Sequence, residues 1–206
     1  MERREISSRS NGIIRTIAAR LAATSVTANQ ISAFSVVASL LVPTGLFLLD
    51  GWGAVLLAIL GIQLRLLANV IDGLVAVEGG KSSTVGALYN EFPDRIADST
   101  ILVSFGYAAG CDWLGWLAAL LAALTAYVRV FGGALGQPQA FLGPMAKQHR
   151  MAVVTVALLA APFLTSFWSV SASWTAALAL IAVGSAITCV TRTRAIVRQL
   201  NPGVSP

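Results

Sequence analysis

Long apolar stretches constrain the fold of this 206-residue chain more than any other feature. A helix that crosses the hydrocarbon core of a bilayer needs about 20 mostly apolar residues. Only 11% of the residues are charged, whereas soluble domains usually carry about 25%. The sequence therefore predicts an all-α integral membrane protein with six transmembrane helices. Their predicted bounds are 30–49, 54–77, 84–108, 113–135, 151–170 and 174–193.

The links between these stretches are short, which favours a single membrane domain over residues 1–206. Residues 1–29 form a predicted leader, 30–193 the six-helix bundle and 194–206 a cytoplasmic tail. Apolar residues share one helical face of the leader, as in an amphipathic helix that lies in the membrane interface. A solvated leader is the alternative. The residues of that face are Ile13, Ile14, Ile17 and Leu21.

Basic residues predict the orientation of the helices. Most of the 14 Lys and Arg residues lie in the leader, in the loops 78–83 and 136–150, or from Arg192 onwards. Cytoplasmic segments carry an excess of Lys and Arg, so we expect an inner-membrane protein with both termini in the cytoplasm. The net charge of +5 fits attraction to anionic lipid headgroups and requires no nucleic acid. The remaining basic residues are Arg65, Arg95 and Arg129, which lie within predicted helices.

Acidic residues interrupt the second and third predicted membrane helices. An ionised side chain at mid-membrane costs about 3 kcal/mol, so it usually faces a partner or a watery cavity. In the second helix, Asn69, Asp72 and Ala76 share one face. In the third helix, small or polar residues recur at every fourth position. These residues are Gly86, Asn90, Asp94 and Asp98.

The short loop 78–83 makes these two helices antiparallel. Pairing them about that loop predicts that Asp72 lies level with Tyr89. It also predicts that Asn69 lies level with Phe92. Carboxylate and amide oxygens that converge without His or Cys suit a hard cation such as Mg²⁺ or Mn²⁺. In a lipid enzyme such an ion most often holds phosphate oxygens.

Residues 69–94 resemble the signature of the CDP-alcohol phosphatidyltransferase family, D-x2-D-G-x2-A-R-x8-G-x3-D-x3-D. Five of its eight positions match, and every gap is preserved. Six spans with cytoplasmic termini are also similar to the family. The matching residues are Asp72, Gly73, Ala76, Gly86 and Asp94. The departures are Asn69, Val77 and Asn90, where the family has Asp, Arg and Asp.

This resemblance implies a transferase of phospholipid biosynthesis. Such an enzyme moves a phosphatidyl or other substituted phosphate group from a CDP-linked donor, such as CDP-diacylglycerol, to an alcohol and releases CMP. The resemblance also implies one or two Mg²⁺ or Mn²⁺ ions and a homodimer in the membrane lipid. The acceptor stays open between a phosphorylated alcohol and a simple one, and so does transfer of a small phosphoalcohol onto a lipid acceptor.

The resemblance also assigns residues to roles. Asp94 would bind metal and act as general base on the acceptor hydroxyl, and Asp72 would bind metal. The remaining metal positions are those of Asn69 and Asn90. Room for the nucleotide would come from Gly73, Ala76 and Gly86.

The two Asn residues remove two charges from the family's metal site, so the sequence leaves the number of ions open. A bacterial branch of the family is similar in having Asn for Asp beside a Glu. An inactive relative that binds lipid or nucleotide is one alternative. An ion-coupled transporter is another, disfavoured because we find no repeat. The acids that could compensate are Glu78, Glu91 and Asp98.

Three basic residues are candidates for binding an acceptor phosphate. Lys147 and Arg150 lie where a cytoplasmic loop enters the fifth span, and snorkelling is the alternative there. Arg129 lies within the fourth span, where an ion pair with an acid such as Asp98 is the alternative.

Two further arginines have structural interpretations. Arg95 is expected to pair with Glu91, four residues earlier. For Arg65 the sequence does not decide between an internal acid partner and snorkelling.

Overall fold

The computed structural model describes residues 11–139, 141–164 and 169–201. This part of the chain is helical and contains no strand, which confirms the predicted all-α class. The helices are α1 (Gly12–Ala22), α2 (Ala28–Ser39), α3 (Leu41–Leu48), α4 (Gly51–Val77), α5 (Gly86–Ala108), α6 (Asp112–Ala134), α7 (Lys147–Leu164) and α8 (Val170–Leu200).

Four segments are long and apolar enough to cross a membrane, among the described residues. Helices α5 and α7 overlap the two other predicted spans, but each carries charged residues along part of its length. Residues 165–168 of the predicted fifth span lie outside the described part of the chain. The structure therefore supports a membrane protein, and the count of six spans stays a prediction. The four segments are Ala28–Leu48, Gly51–Val77, Asp112–Ala134 and Val170–Leu200.

The chain forms two compact units, one ending at residue 101 and the other beginning at residue 102. In the first unit, α1, α2 and α3 all pack against α4. In the second, α6 and α7 pack against α8. The single domain predicted for residues 1–206 stays a prediction.

Helices α2 and α3 together make the first membrane-length segment. A capping box begins α2: the Thr27 hydroxyl accepts from the Gln30 amide, and the Gln30 side chain accepts from the Thr27 amide. Pro43 has no amide hydrogen to donate to the carbonyl of Ser39, so the regular helical bonding is interrupted at Leu40.

The leader is helical over α1, but its predicted apolar face is divided. Ala18 is buried, and Ile14 and Leu21 pack against the core formed with α2 and α4. Ile13 is 73% exposed and Ile17 37% exposed. The exposed pair is the part that a membrane interface would cover, and that placement stays a prediction.

A glycine lets α4 approach its neighbours closely. A Cβ added at Gly61 would lie 2.8 Å from the carbonyl oxygen of Ala38 and 2.9 Å from the Cβ of Leu41. Because there is room for no side chain at Gly61, α2 and α3 lie directly against the α4 backbone. This contact fixes the position of α4 beside α2, from which one polar residue of the site comes.

Candidate functional site

Helix α4 carries a polar stripe along its second half. Arg65, Asn69, Asp72 and Ala76 follow one another at spacings of four, three and four residues, so they share one face. Arg65 is fully buried and Asp72 is buried, whereas Asn69 and Ala76 are half-buried. The stripe lies inside the first unit, so these polar groups require protein or ligand partners.

Helix α5 presents the facing stripe. Asp94 and Asp98, one helical turn apart, are both buried. Nearer the start of the helix, Asn90 is exposed and Gly86 is half-buried. The predicted face is therefore buried towards the middle of α5 and opens towards its N-terminal end.

The two stripes meet through side-chain contacts at two levels. The Asn69 amide nitrogen donates to Oδ1 of Asp94 at 2.7 Å. One turn away, Nη2 of Arg65 donates to Oδ1 of Asp98 and lies 3.5 Å from Oδ1 of Asp94. The two levels are four residues apart on both helices, as expected for antiparallel neighbours. Arg65 therefore has an internal acid partner, which the sequence alone did not decide.

The observed register corrects the predicted one. Asn69 meets Asp94, two residues beyond the predicted Phe92. The reason is the length of the connection: residues 84 and 85 are not helical, so the link runs over 78–85 and not 78–83. Lengthening the link by two residues on the α5 side moves every pairing by two positions.

A residue from α2 completes the surroundings of Asp72. The buried hydroxyl of Ser32 donates to Oδ2 of Asp72 at 2.5 Å. Ser32 is not among the site residues predicted from the sequence. The available signal was a row of serines, Ser32, Ser35 and Ser39, near one face of an otherwise apolar helix. A hydroxyl donor to a carboxylate holds that carboxylate in one orientation.

Asp94 has further cationic surroundings. Nη2 of Arg95 lies 3.5 Å from its Oδ2. Arg95 also lies 3.9 Å from Glu91, which confirms the predicted intrahelical pair. Glu91 and Asp98 thus each contact a guanidinium, and so does Glu78, whose exposed carboxylate pairs with Arg15 at 3.3 Å.

The candidate metal ligands carry two negative charges, which one divalent cation would balance. Asp72 and Asp94 supply carboxylates, and Asn69 and Asn90 supply amide oxygens where four Asp would supply four charges. The described residues contain no group of three or more His, Cys, Asp or Glu side chains arranged to hold a metal. A second ion beside Asp94 would also face the positive charge of Arg65.

The small residues predicted for nucleotide binding lie along the same stripes. Gly73 and Ala76 are half-buried on α4, next to and one turn beyond Asp72. A Cβ added at Gly86 would come no closer than 3.4 Å to another atom, the Oγ of Ser83. Space at Gly86 therefore exists at the open end of the α5 stripe.

The second unit holds two buried guanidiniums around one threonine. Nη1 of Arg150 donates to the Met145 carbonyl at 3.0 Å and lies 3.5 Å from the hydroxyl of Thr125. Arg192 donates to the carbonyl of Thr125 at 2.6 Å and to that of Leu142 at 2.9 Å. From the sequence, Arg192 counts only among the basic residues that predict the orientation of the helices, yet it is 5% exposed. Its place within the apolar last helix was the available signal.

The other two predicted phosphate-binding residues are less buried. Nη1 of Arg129 donates to the Gln139 side chain at 2.5 Å, and its guanidinium lies 5.3 Å from the ring centre of Phe141. Lys147 is half-buried at the first position of α7. The structure thus places Arg129, Lys147 and Arg150 in the second unit, and the carboxylates and Asn residues of the motif in the first.

The architecture has counterparts among solved structures. Phosphatidylinositol phosphate synthase (PgsA1) of Mycobacterium tuberculosis with CDP-DAG bound is 20% identical to this chain, with a TM-score of 0.69 over 90% of this chain and 94% of that one. This chain shares the fold of that synthase. The same synthase with manganese and citrate matches at 20% identity and TM-score 0.68 (89% and 88% covered), and its apo form at 20% and 0.68 (91% and 97%). No family model and no curated protein matches the sequence.

Proposed function

We propose that this chain is a membrane-embedded CDP-alcohol phosphatidyltransferase that uses CDP-diacylglycerol or another CDP-alcohol. The observation that carries the proposal is the meeting of the motif residues Asn69 and Asp94 across α4 and α5, with Asp72 on the same face of α4. The shared fold of a synthase with CDP-DAG bound supports it. A transporter is disfavoured because the buried charged residues described in this unit all lie on one pair of helices, α4 and α5.

In the proposed reaction, Asp94 takes the proton of the acceptor hydroxyl. The acceptor oxygen forms a bond to the donor phosphorus, and the bond from that phosphorus to the oxygen of the leaving CMP breaks. Asn69 and Arg65 hold the Asp94 carboxylate at a fixed position through their contacts. Ser32 does the same for Asp72.

Asp72 and Asp94, with the amide oxygens of Asn69 and Asn90, would hold a Mg²⁺ or Mn²⁺ ion. When bound, the ion would neutralise charge on the donor's diphosphate. A solved structure of PgsA1 contains manganese and citrate, which supports a divalent ion here. Gly73, Ala76 and Gly86 would leave room for the nucleotide. The two carboxylates of this donor set support a single divalent ion, whose charge they would balance.

We also propose that the acceptor carries a phosphate, bound by Lys147, Arg150 and Arg129. Between residues 102 and 206 the sequence contains one acid, Asp112, so this half of the chain is strongly basic. Lys147 and Arg150 lie in the first turn of α7, where the helix dipole adds positive potential. Both features favour a phosphorylated alcohol over a simple one.

The proposed setting is the inner membrane, with six spans, both termini in the cytoplasm and the carboxylates near the cytoplasmic side. The distribution of Lys and Arg supports this orientation. A homodimer is proposed from the resemblance to the family alone.

The test is release of CMP from CDP-diacylglycerol by the purified protein, with Mn²⁺ or Mg²⁺ and with EDTA. The acceptor panel contains glycerol phosphate, inositol phosphate and unphosphorylated alcohols. Asp72→Asn and Asp94→Asn should each lower the rate by about 100-fold or more, as is usual for a group that acts in proton transfer or metal binding. Asp50→Asn, an exposed acid just before α4, is the matched control and should keep the wild-type rate.

A wild-type protein that releases no CMP with any acceptor would contradict the proposal and favour an inactive lipid- or nucleotide-binding relative. Uptake of a solute into vesicles containing the protein would favour a transporter.

A further inference from the structure

The burial of Arg65 needs an explanation beyond hydrogen bonding. Its side chain is completely buried inside the first unit. Nη2 contacts Asp98 and Asp94, but Nε and Nη1 have no hydrogen-bond partner among the described residues. Removing a charge from water is expensive, and leaving two of its donors unsatisfied adds to the cost. Arg65 is therefore a poor choice if its only task is to join two helices.

Apolar side chains would join α4 and α5 at lower cost. Buried ion pairs can often be replaced by well-packed apolar residues with no loss of stability. A guanidinium offers what an apolar group does not, a fixed positive charge. Arg65 places that charge 3.5 Å from the carboxylate of Asp94, the proposed base.

The facing stripes of α4 and α5 together form a polar face. The charges of that face support a role for the positive charge of Arg65. Arg65, Asp72, Asp94 and Asp98 carry one positive and three negative charges when ionised, a net charge of −2 that one divalent ion balances. Without the charge of Arg65, the same three carboxylates would carry −3, which is more than one divalent ion balances. The Glu91–Arg95 pair adds no net charge.

We propose that Arg65 is a positioning residue whose guanidinium replaces the second divalent ion of this site. The chain then holds Asp94 with one guanidinium and one metal ion. This inference rests on the proposed function for the meaning of the site, but its test measures metal binding and needs no turnover.

The test is titration of the purified full-length protein with Mn²⁺, followed by the electron paramagnetic resonance signal of the free ion. The wild type should bind one Mn²⁺ per chain. Arg65→Gln makes the net charge of the face more negative, from −2 to −3, and should tighten Mn²⁺ binding by about tenfold. Arg65→Lys keeps the charge and should bind like the wild type. If Arg65 only clamps the helices, Arg65→Gln should instead loosen the carboxylates and weaken binding.

A double variant tests the same point without a buried unpaired charge. Asp98→Asn alone makes the net charge less negative, from −2 to −1, and should weaken Mn²⁺ binding by about tenfold. Adding Arg65→Gln to it restores −2 with an amide pair across the helices, and should restore the affinity. A clamp would make the double variant at least as weak as Asp98→Asn, so this comparison decides even if Arg65→Gln alone does not fold.

The inference is overturned if the wild type binds two Mn²⁺ ions or none, or if affinities do not follow net charge. A wild type that binds one Mn²⁺, with affinities in the expected order, but releases no CMP would reject the proposed function and leave the role of Arg65 standing.

Discussion

The hydroxyl of Ser32 on α2 lies 2.5 Å from Oδ2 of Asp72 on α4, although 40 residues separate them. Both side chains are buried. A charge-assisted hydrogen bond of this kind is short and strongly oriented. The orientation of Asp72 therefore depends on the packing of α2 against α4, which Gly61 makes close.

We expect Ser32→Ala to lower CMP release by about tenfold or more, because a hydrogen bond to a charged group contributes about 1.5–3 kcal/mol. The decrease should be in kcat, since Asp72 stays present but is less well oriented. Ser35→Ala is the matched control: Ser35 is also buried on α2, but its hydroxyl donates to the backbone carbonyl of Ser32. Equal losses in the two variants would show that packing, and not the bond to Asp72, is responsible.

Gly61→Ala should destabilise the protein by about 1–3 kcal/mol, the usual cost of forcing a group into a filled core. The added Cβ would lie within 2.9 Å of backbone and Cβ atoms of α2 and α3. Thermal unfolding in detergent measures the change. Gly53→Ala on the same helix is the control, since its nearest contact would be 3.8 Å. That variant should be neutral or slightly stabilising, because Ala favours helix over Gly by about 1 kcal/mol.

Lys81→Ala should loosen the connection between the leader and the link that precedes α5. The ammonium of Lys81 donates to the carbonyls of Thr24 and Val26, which follow α1. We expect faster amide hydrogen exchange in residues 79–85 and 24–29. Arg20→Ala removes an exposed positive charge from α1 and controls for the loss of charge alone. Unchanged exchange in Lys81→Ala would show that these contacts do not order the link.

Lys147→Ala should raise KM for a phosphorylated acceptor by about tenfold, the effect of losing one charged hydrogen bond. KM for CDP-diacylglycerol should not change. Arg194→Ala removes an exposed charge of α8 in the same unit and should affect neither value. A variant with the same KM for phosphorylated and unphosphorylated alcohols as the wild type would remove Lys147 from the acceptor site.

The facing polar stripes show which contacts a local sequence pattern predicts and which it does not. Helical periodicity alone placed Asn69 with Asp72, and Asp94 with Asp98, because a helix fixes the angle between residues close in sequence. It did not fix the register between the helices. That register depends on where the link ends, and residues 84 and 85 carried no signal strong enough to exclude them from α5.

For Arg65 and Arg192, the sequence did not predict the environment of the side chain. A long basic side chain within an apolar helix can reach a polar partner inside the protein or extend to the membrane surface. The sequence is the same in both cases. Only the structure shows that Arg65 meets Asp98 and that Arg192 donates to carbonyls of Thr125 and Leu142.

The sequence by itself determined the helical class, the apolar segments and the polar faces, since these follow from the chemistry of neighbouring residues. The tertiary structure decided which polar atoms meet: Ser32 with Asp72, Asn69 with Asp94, and Arg65 with Asp98. The physical reason is distance along the chain. Such contacts join residues 25 to 40 positions apart, and their formation depends on how closely whole helices pack and where each begins.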